Sequence, residues 1–335
     1  MAIDPHTHIL PGDFLADIRK GRLGETARII SEDGQEWMAF RVPLFGKDRE
    51  FRNKLSAPYY DVGIRLGAME RMGVERQVLS VSPFMTLYAI DAGLNKDISA
   101  SINDGLSSLA KSHPGRFSCM AQVPLQDPEA AADELERAVN NGHIGVQIAA
   151  NIAGGNLDDP GLDVFWEKAV SLDLPIFIHP QGQAAAPERL GDYYLRNFIG
   201  NPLDTTVAAA SLIFGGVLDR FPDIKFYLSH VGGFVPWIRG RWQHGYGERE
   251  EPKVRGAKDP DQYFGKFYYD TIIHNADAFE YAVKTLGADR ILYGTDYPAD
   301  MGYHQPAKEI PGLSRLSTAD QEKILTGNAK KLYKL

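Results

Sequence analysis

Phe226-Tyr227-Leu228-Ser229-His230-Val231-Gly232-Gly233 reads as a short apolar strand that ends in a histidine, followed by glycines that let backbone approach closely. Three other stretches have the same form. Ile176-Phe177-Ile178-His179-Pro180 ends in histidine, and the proline stops the strand. Ile291-Leu292-Tyr293-Gly294-Thr295-Asp296-Tyr297-Pro298 carries a carboxylate at its strand end, and the N-terminal run 2–7 ends in His6-Thr7, with His8 next. Further β-rich runs lie at 76–82, 117–123, 144–149 and 267–273, which with 2–7, 174–179, 224–230 and 290–296 makes eight. Segments with a 3.6-residue period separate them, among them 62–72, 128–139 with Asp127 as N-cap, 205–218 and 319–333. Strands alternating with helices imply parallel βαβ units, and eight such units predict an α/β fold, a closed (β/α)8 TIM barrel rather than an open sheet.

Residues 11–58 break the alternation with scattered charges, including Gly-Lys-Asp-Arg-Glu at 46–50, and few long apolar runs. They are expected to be an insertion after strand one that folds over the barrel mouth. No linker rich in Pro, Gly and Ser divides the chain, so 1–335 is expected to be one domain. A single barrel with an insertion accounts for 335 residues.

Composition removes several function classes. A net charge of -8 argues against a general nucleic-acid or anionic-membrane partner. Cys119 is the only cysteine, so no intramolecular disulfide and no Cys-based zinc site can form. Any metal must be held by histidine and carboxylate. No apolar run reaches the roughly 18 residues needed to span a bilayer, and the N-terminus enters polar residues at once, unlike a signal peptide. A cytoplasmic location is the expectation.

Residues two apart on a strand share a face, so His6 and His8 can reach one ion inside the barrel. Neutral imidazoles suit zinc, manganese or iron. Taken singly, each histidine or aspartate at a strand end is compatible with a satisfied structural residue. Together, three histidine-bearing ends and one aspartate-bearing end converge on the mouth where barrel enzymes build their sites. Burying so many ionisable groups without a role would cost several kcal/mol. The remaining histidines are weaker candidates. His143 enters strand four at the end opposite the mouth, His113 lies in a loop, His244 at a charged helix end and His304 beyond the last strand. His274 follows strand seven at the correct end and is a candidate substrate contact. Phe84 and Met85, after strand two, are candidates for an apolar wall or for core. Cys119 reads as core filler.

His6-x-His8, His179, His230 and Asp296 at these strand ends resemble the amidohydrolase superfamily, and more closely its amidohydrolase-2 decarboxylase branch of the aminocarboxymuconate-semialdehyde type. Ala121-Gln122-Val123-Pro124-Leu125-Gln126-Asp127, Gly142 to Ile148, Gly294 to Pro298 and Gly327-Asn328-Ala329 carry the resemblance along nearly the whole chain. It implies that His6, His8, His179 and Asp296 hold one divalent ion, and that His230 stands beside the bound water as general acid and base. Binuclear relatives carry a bridging lysine after strand four; here Gln147-Ile148-Ala149-Ala150-Asn151 has none, so one ion is inferred. Resorcylate-type relatives place Glu-x-His on strand one, so His-x-His favours the muconate-semialdehyde type. The resemblance also marks Arg52 and Arg241 as carboxylate clamps, with Arg241 reaching the partner site of a homodimer.

The expected activity is therefore a metal-dependent, non-oxidative decarboxylase (carboxy-lyase) acting on an unsaturated or aromatic carboxylic acid. Zinc is the expected ion, manganese or iron the alternatives, and no organic cofactor is expected. One rival is hydrolysis of an amide, lactone or C–C bond, or hydration of an enol, by the same metal-bound hydroxide. Another is a metal-bound binding protein without turnover. Gln181, the segment 183–188 and Ala299-Asp300 depart from the decarboxylase pattern where the substrate should lie, so the metal chemistry carries over better than the substrate does.

Overall fold

The computed structural model describes residues 1–44, 47–181 and 187–335. Seven parallel strands form one curled sheet in the order β1 (Ala2–Ile9), β5 (Val74–Val81), β6 (Phe117–Gln122), β7 (Gly145–Ala149), β8 (Pro175–His179), β9 (Lys225–Leu228) and β10 (Tyr268–Tyr269). β1 and β6 to β8 are buried almost throughout, as strands covered on both faces must be.

The eighth expected strand is present as an extended segment without a ladder. Ile291 bridges Tyr269 of β10, and Tyr297 bridges Thr7 of β1, both in parallel. The Leu292 amide donates to Tyr269 O at 2.7 Å, the Asp296 amide to His6 O at 2.7 Å and the His8 amide to Tyr297 O at 2.8 Å. Residues 291–297 thus stand between the two edges of the sheet and close the ring. Regular pairing fails for local reasons. A side chain at Gly294 would come within 3.0 Å of the Cβ atoms of Asp270 and His6, and Asp296 has a left-handed backbone, with φ 54°. The seventh strand, expected over 267–273, pairs only at Tyr268–Tyr269, because the next residue, Asp270, takes the Ile272 amide onto its own side chain.

Inside the ring Ile3, Val78, Met120, Phe177, Tyr227, Tyr268 and Leu292 pack into one cluster. Phe177 stacks on Tyr227 with ring centres 4.7 Å apart and meets the His6 ring at 4.8 Å, so an aromatic floor lies directly under the histidines. A larger apolar layer, with Trp166, Phe165 and Phe226 among its bulkiest members, fills the space between sheet and helices.

Helix α2 (Val62–Met72) has the expected bounds, with Asp61 accepting from the Ile64 amide and Gly73 ending it at φ 69°. Asp127 caps α4 (Pro128–Asn140) through the Ala130 amide, as expected. The helix expected over 205–218 is two: α6 (Asn201–Phe214) and α7 (Val217–Arg220), divided where Gly216 turns left-handed at φ 74°. The helix expected over 319–333 is α10 (Thr318–Glu322) and α11 (Asn328–Tyr333), joined by a wider π-turn, Lys323–Gly327. No helix of the described residues is long and apolar enough to cross a membrane.

The insertion has more structure than its charges suggest. Helix α1 (Gly12–Arg19) leads into an antiparallel sheet of β2 (Ala27–Glu32), β3 (Gln35–Leu44) and β4 (Lys47–Lys54). Asp33 and Gly34, at φ 51° and 75°, form the two-residue turn between β2 and β3. Met38 and Phe40 are buried in the main apolar layer, while Arg28, Glu32, Glu50 and Arg52 pair across the outer face. The chain returns where it left: the Leu10 amide, just past β1, donates to Tyr59 O at 2.7 Å.

His143, at the opposite end of β7 from the site, is buried, with Nδ1 donating to Ala138 O at 2.9 Å. Burial lowers its pKa to about 4. The unfolded chain then binds a proton that the folded one refuses. His143 therefore contributes nothing against folding above its unfolded pKa near 6.5 and costs stability as pH falls toward 4. The difference is on the order of 3 kcal/mol. Chemical denaturation of His143→Asn between pH 7 and pH 4 is expected to show a flatter loss of stability than the wild type; parallel curves would show that burial does not set this group.

Candidate metal centre

His6 and His8 project from β1, His179 ends β8, His230 follows β9 and Asp296 lies in the closing segment. The rings of His6, His8 and His179 meet edge-on, with centres 4.8 to 5.2 Å apart. Each has its Nδ1 occupied. His6 Nδ1 donates to Asp270 Oδ2 at 2.6 Å, and His179 Nδ1 to Pro180 O at 2.8 Å. Ser80 Oγ spends its proton on Thr7 O at 3.1 Å, so it accepts from His8 Nδ1 at 2.9 Å. The three Nε2 atoms are left as bare lone pairs, buried and without a hydrogen-bond partner.

Those lone pairs face a carboxylate. Asp296 Oδ1 lies 3.3 Å from His6 Nε2, 3.1 Å from His8 Nε2 and 3.9 Å from His179 Nε2. Acceptors turned on one another in a buried space repel unless a cation lies between them, so the donor set fits a divalent ion. The titration of the groups carries the same demand for positive charge. Burial alone would lower His6, but Asp296 and Asp270 push it up to about 10. Burial lowers His8, and burial with the neighbouring imidazoles holds His179 well below its ordinary value. Burial would raise Asp296, yet the His6 and His230 rings hold it well below the carboxylate range.

His230 is placed differently. Its Nε2 lies 3.4 Å from Asp296 Oδ2, the oxygen turned from His8 and His179, and its Nδ1 has no partner. Its backbone is held as well: the His230 amide donates to Asp270 Oδ2 at 2.7 Å. Ligand atoms of His6, His179, His230 and Asp296 all lie within 4.8 Å of one another, so proximity alone would make His230 a fourth ligand in place of His8. Hydrogen bonding separates them. His8 has its ring fixed at Nδ1 by Ser80 and its Nε2 beside Oδ1; His230 meets Oδ2 through Nε2 and has no partner at Nδ1.

The other residues singled out in the sequence lie apart from this cluster. Arg52 is exposed on β4 and pairs with Glu50 and Glu32, each at 2.7 Å. Arg241 is exposed on α8 (Val235–Glu248), one turn from Trp237, which is 46% exposed and stacks on Tyr281 at 4.7 Å. Phe84 is 43% exposed in the turn after β5, whereas Met85 is fully buried. His274 is exposed, with Nε2 against Met301 O at 2.9 Å. Gln181 donates to Pro83 O at 3.2 Å, linking the ends of β5 and β8. Asp300 is exposed and accepts from Tyr194 Oη at 3.0 Å. Of the divergent segment 183–188, residues 183–186 lie outside the described residues. Cys119 is buried, and burial pushes its thiol up to about 12.

Sequence reasoning missed the residues that support the cluster: Asp270, Ser80, Asp4 and Arg65. Asp4 accepts from the His6 and Thr295 amides, from Thr295 Oγ1 at 2.7 Å and from Gln77 Nε2 at 3.0 Å. Arg65, fully buried on α2, donates to Thr7 Oγ1, Gln77 Oε1 and His8 O. A carboxylate or guanidinium at a position that reads as core was the available signal.

A family model described as amidohydrolase matches residues 3–335. The chain is 32% identical to a 2-amino-3-carboxymuconate-6-semialdehyde decarboxylase of Dictyostelium discoideum over 98% of its own length and 90% of the relative's. It is 30% identical to a gamma-resorcylate decarboxylase of Polaromonas sp. over 81% of its own length and 86% of the relative's. Among solved structures, a dihydroxybenzoic acid decarboxylase from Polaromonas with bound manganese and 2-nitroresorcinol superposes with a TM-score of 0.76 at 24% identity, covering 100% of this chain and 97% of that one.

Single replacements His6→Ala, His8→Ala and His179→Ala are each expected to weaken metal binding at least tenfold in chelator competition, since each removes one lone pair from the cluster. His230→Ala is expected to keep the affinity within threefold. An affinity that collapses with His230→Ala and survives His8→Ala would exchange the two roles.

Proposed function

The chain belongs to the amidohydrolase family, and from that premise we propose that it is a metal-dependent, non-oxidative decarboxylase of an unsaturated or aromatic carboxylic acid, of aminocarboxymuconate-semialdehyde or hydroxybenzoate type. The observation that carries the reading is the set of three buried Nε2 lone pairs turned on Asp296 Oδ1, with a fourth imidazole at Oδ2. His6, His8, His179 and Asp296 would hold one ion. Three imidazoles and one carboxylate suit zinc, with manganese, the ion in the Polaromonas neighbour, and iron as alternatives. A divalent ion there supplies a Lewis acid and a bound water of lowered pKa.

The chain's own groups account for the rest. The carbon that loses CO2 must gain a proton, and the electron pair of the broken C–C bond must return to a conjugated framework. His230, with Nε2 beside Asp296, is the group positioned to deliver that proton and to be reprotonated from water. The floor of Phe177 and Tyr227 excludes water from below.

Arg241 is a candidate clamp for the substrate carboxylate of a partner copy in a homodimer; its exposure beside the uncovered Trp237 and Tyr281 supports that placement. Arg52 would act as a clamp only by exchanging Glu32 and Glu50 for the substrate carboxylate. Phe84 would line the entrance, His274 would flank it, and the insertion at 11–58 would cover it. The buried single cysteine supports a reducing, cytoplasmic setting.

Metal-loaded protein is expected to release CO2 without oxygen from at least one member of a panel of amino- and hydroxybenzoates and carboxymuconate semialdehydes, and a metal-stripped control is expected to release none. Silence across the panel with the metal bound would move the assignment to hydrolysis or hydration of amides, lactones and enols.

A further inference from the structure

One buried carboxylate serves both halves of the centre. Asp270, at the end of β10, is fully buried. Its Oδ2 accepts from His6 Nδ1 at 2.6 Å and from the His230 amide at 2.7 Å. Its Oδ1 accepts from the Val231 amide at 2.9 Å and the Ile272 amide at 3.0 Å. Four donors fill the acceptor capacity of a carboxylate. The two amides from the β9 turn come from strained backbone. His230 and Val231 have φ 53° and 56°, followed by Gly232 and Gly233 at 75° and 65°. Left-handed backbone is rare for any residue with a side chain and exceptional for β-branched valine. Such a turn aims successive N–H groups into one concavity, which is how backbone receives an anion. Asp270 is that anion, and the same oxygen that holds the turn also fixes the tautomer of His6.

We propose that Asp270 is a positioning residue that couples the proton-transfer group His230 to the metal ligand His6, holding the strained 230–233 turn and the His6 ring through one shared oxygen. Replacing that oxygen by an amide nitrogen is informative because the shape hardly changes. In Asp270→Asn the new NH2 confronts two donors whichever way the amide lies, the His230 amide and His6 Nδ1–H in one orientation and the Val231 and Ile272 amides in the other. His6 can relieve the conflict only by moving its proton to Nε2, where it would block metal binding. The His230 turn has no such exit and must shift.

The activity arm of the test rests on the decarboxylase reading; the metal and exchange arms do not. At saturating metal, Asp270→Asn is expected to lose at least tenfold in kcat with KM within threefold, and its metal affinity is expected to fall by about 10–100-fold. In a His230→Ala background the same change is expected to lower residual activity no further, while the loss of metal affinity persists. In the wild type, the amides of His230 and Val231 are expected to exchange slowly with deuterium, and more slowly once zinc is added. Metal affinity within threefold of wild type, or an activity loss that multiplies in the His230→Ala background, would overturn the coupling. Should Asp270→Asn fail to fold, fast exchange of both amides in the zinc-loaded wild type would overturn it as well. A wild type that binds zinc and shows slow exchange but releases no CO2 would count against the decarboxylase reading and leave Asp270 where it is placed here.

Discussion

Asp296 Oδ1 faces the lone pairs of His6, His8 and His179 across 3.1 to 3.9 Å, and the molecule around it is arranged to keep these acceptors pointed at one another. Left to themselves the four groups would turn away or take up a proton. The rings cannot turn away, because every Nδ1 is held, by Asp270 after β10, Ser80 on β5 and Pro180 O after β8; without an ion, the positive charge that Asp296 and Asp270 demand falls on His6 as a proton. An ion gains by entering, since the cost of orienting its ligands has been met in folding.

Asp4 performs for the barrel what Asp270 performs for the centre. Its four donors come from His6 and Gln77 on one side and from Thr295 twice on the other, so it joins β1 to the closing segment that carries Asp296. Burial raises its pKa to about 6 despite those bonds. The buried guanidinium that would compensate it, Arg65, does not touch it; Gln77 stands between them, accepting from Arg65 at 3.0 Å and donating to Asp4 at 3.0 Å. Burial in turn lowers Arg65 to about 10. Isolated, either charge would cost several kcal/mol to bury. Relayed through an amide, the pair ties α2, β1, β5 and the closing segment together beneath the ligands.

His179 and His230 were legible as candidates because each ends an apolar run, and His6, His8 and Asp296 because they stand at the ends of β-rich runs. Asp270 was not, because it lies inside a run read as strand 267–273, where a carboxylate looks like an interruption. Only the fold shows that four donors from three segments converge on it. The insertion was half legible: Asp33-Gly34 is a hairpin signal in plain sight, but the surrounding charges masked the alternation of Met38 and Phe40. The closing strand was legible in composition and not in form, since Gly294 and the left-handed Asp296 reduce its ladder to single bridges while preserving its place in the ring. Arg52 shows the converse limit. Its type and spacing fit a clamp, but its ion pairs belong to a sheet that the sequence reading did not contain.

The division of Asp296 between its two oxygens bears on how a centre of this kind can work. At the end of β7 the chain offers Ala149, Ala150 and Asn151, and Asn151 donates to the buried Asp204 at 3.0 Å, so none of these three supplies a bridging ligand for a second ion. With one ion, the proton that must reach the substrate has to be carried by a side chain. That side chain must sit near the ion yet remain unligated, or its lone pair is spent. Oδ1 gathers the fixed imidazoles, and Oδ2 lies 3.4 Å from His230 Nε2. His230 and Asp296 both have left-handed backbone, at φ 53° and 54°. The His230 turn is anchored on the buried Asp270 through its own amide and that of Val231, and this sets where its ring meets Oδ2.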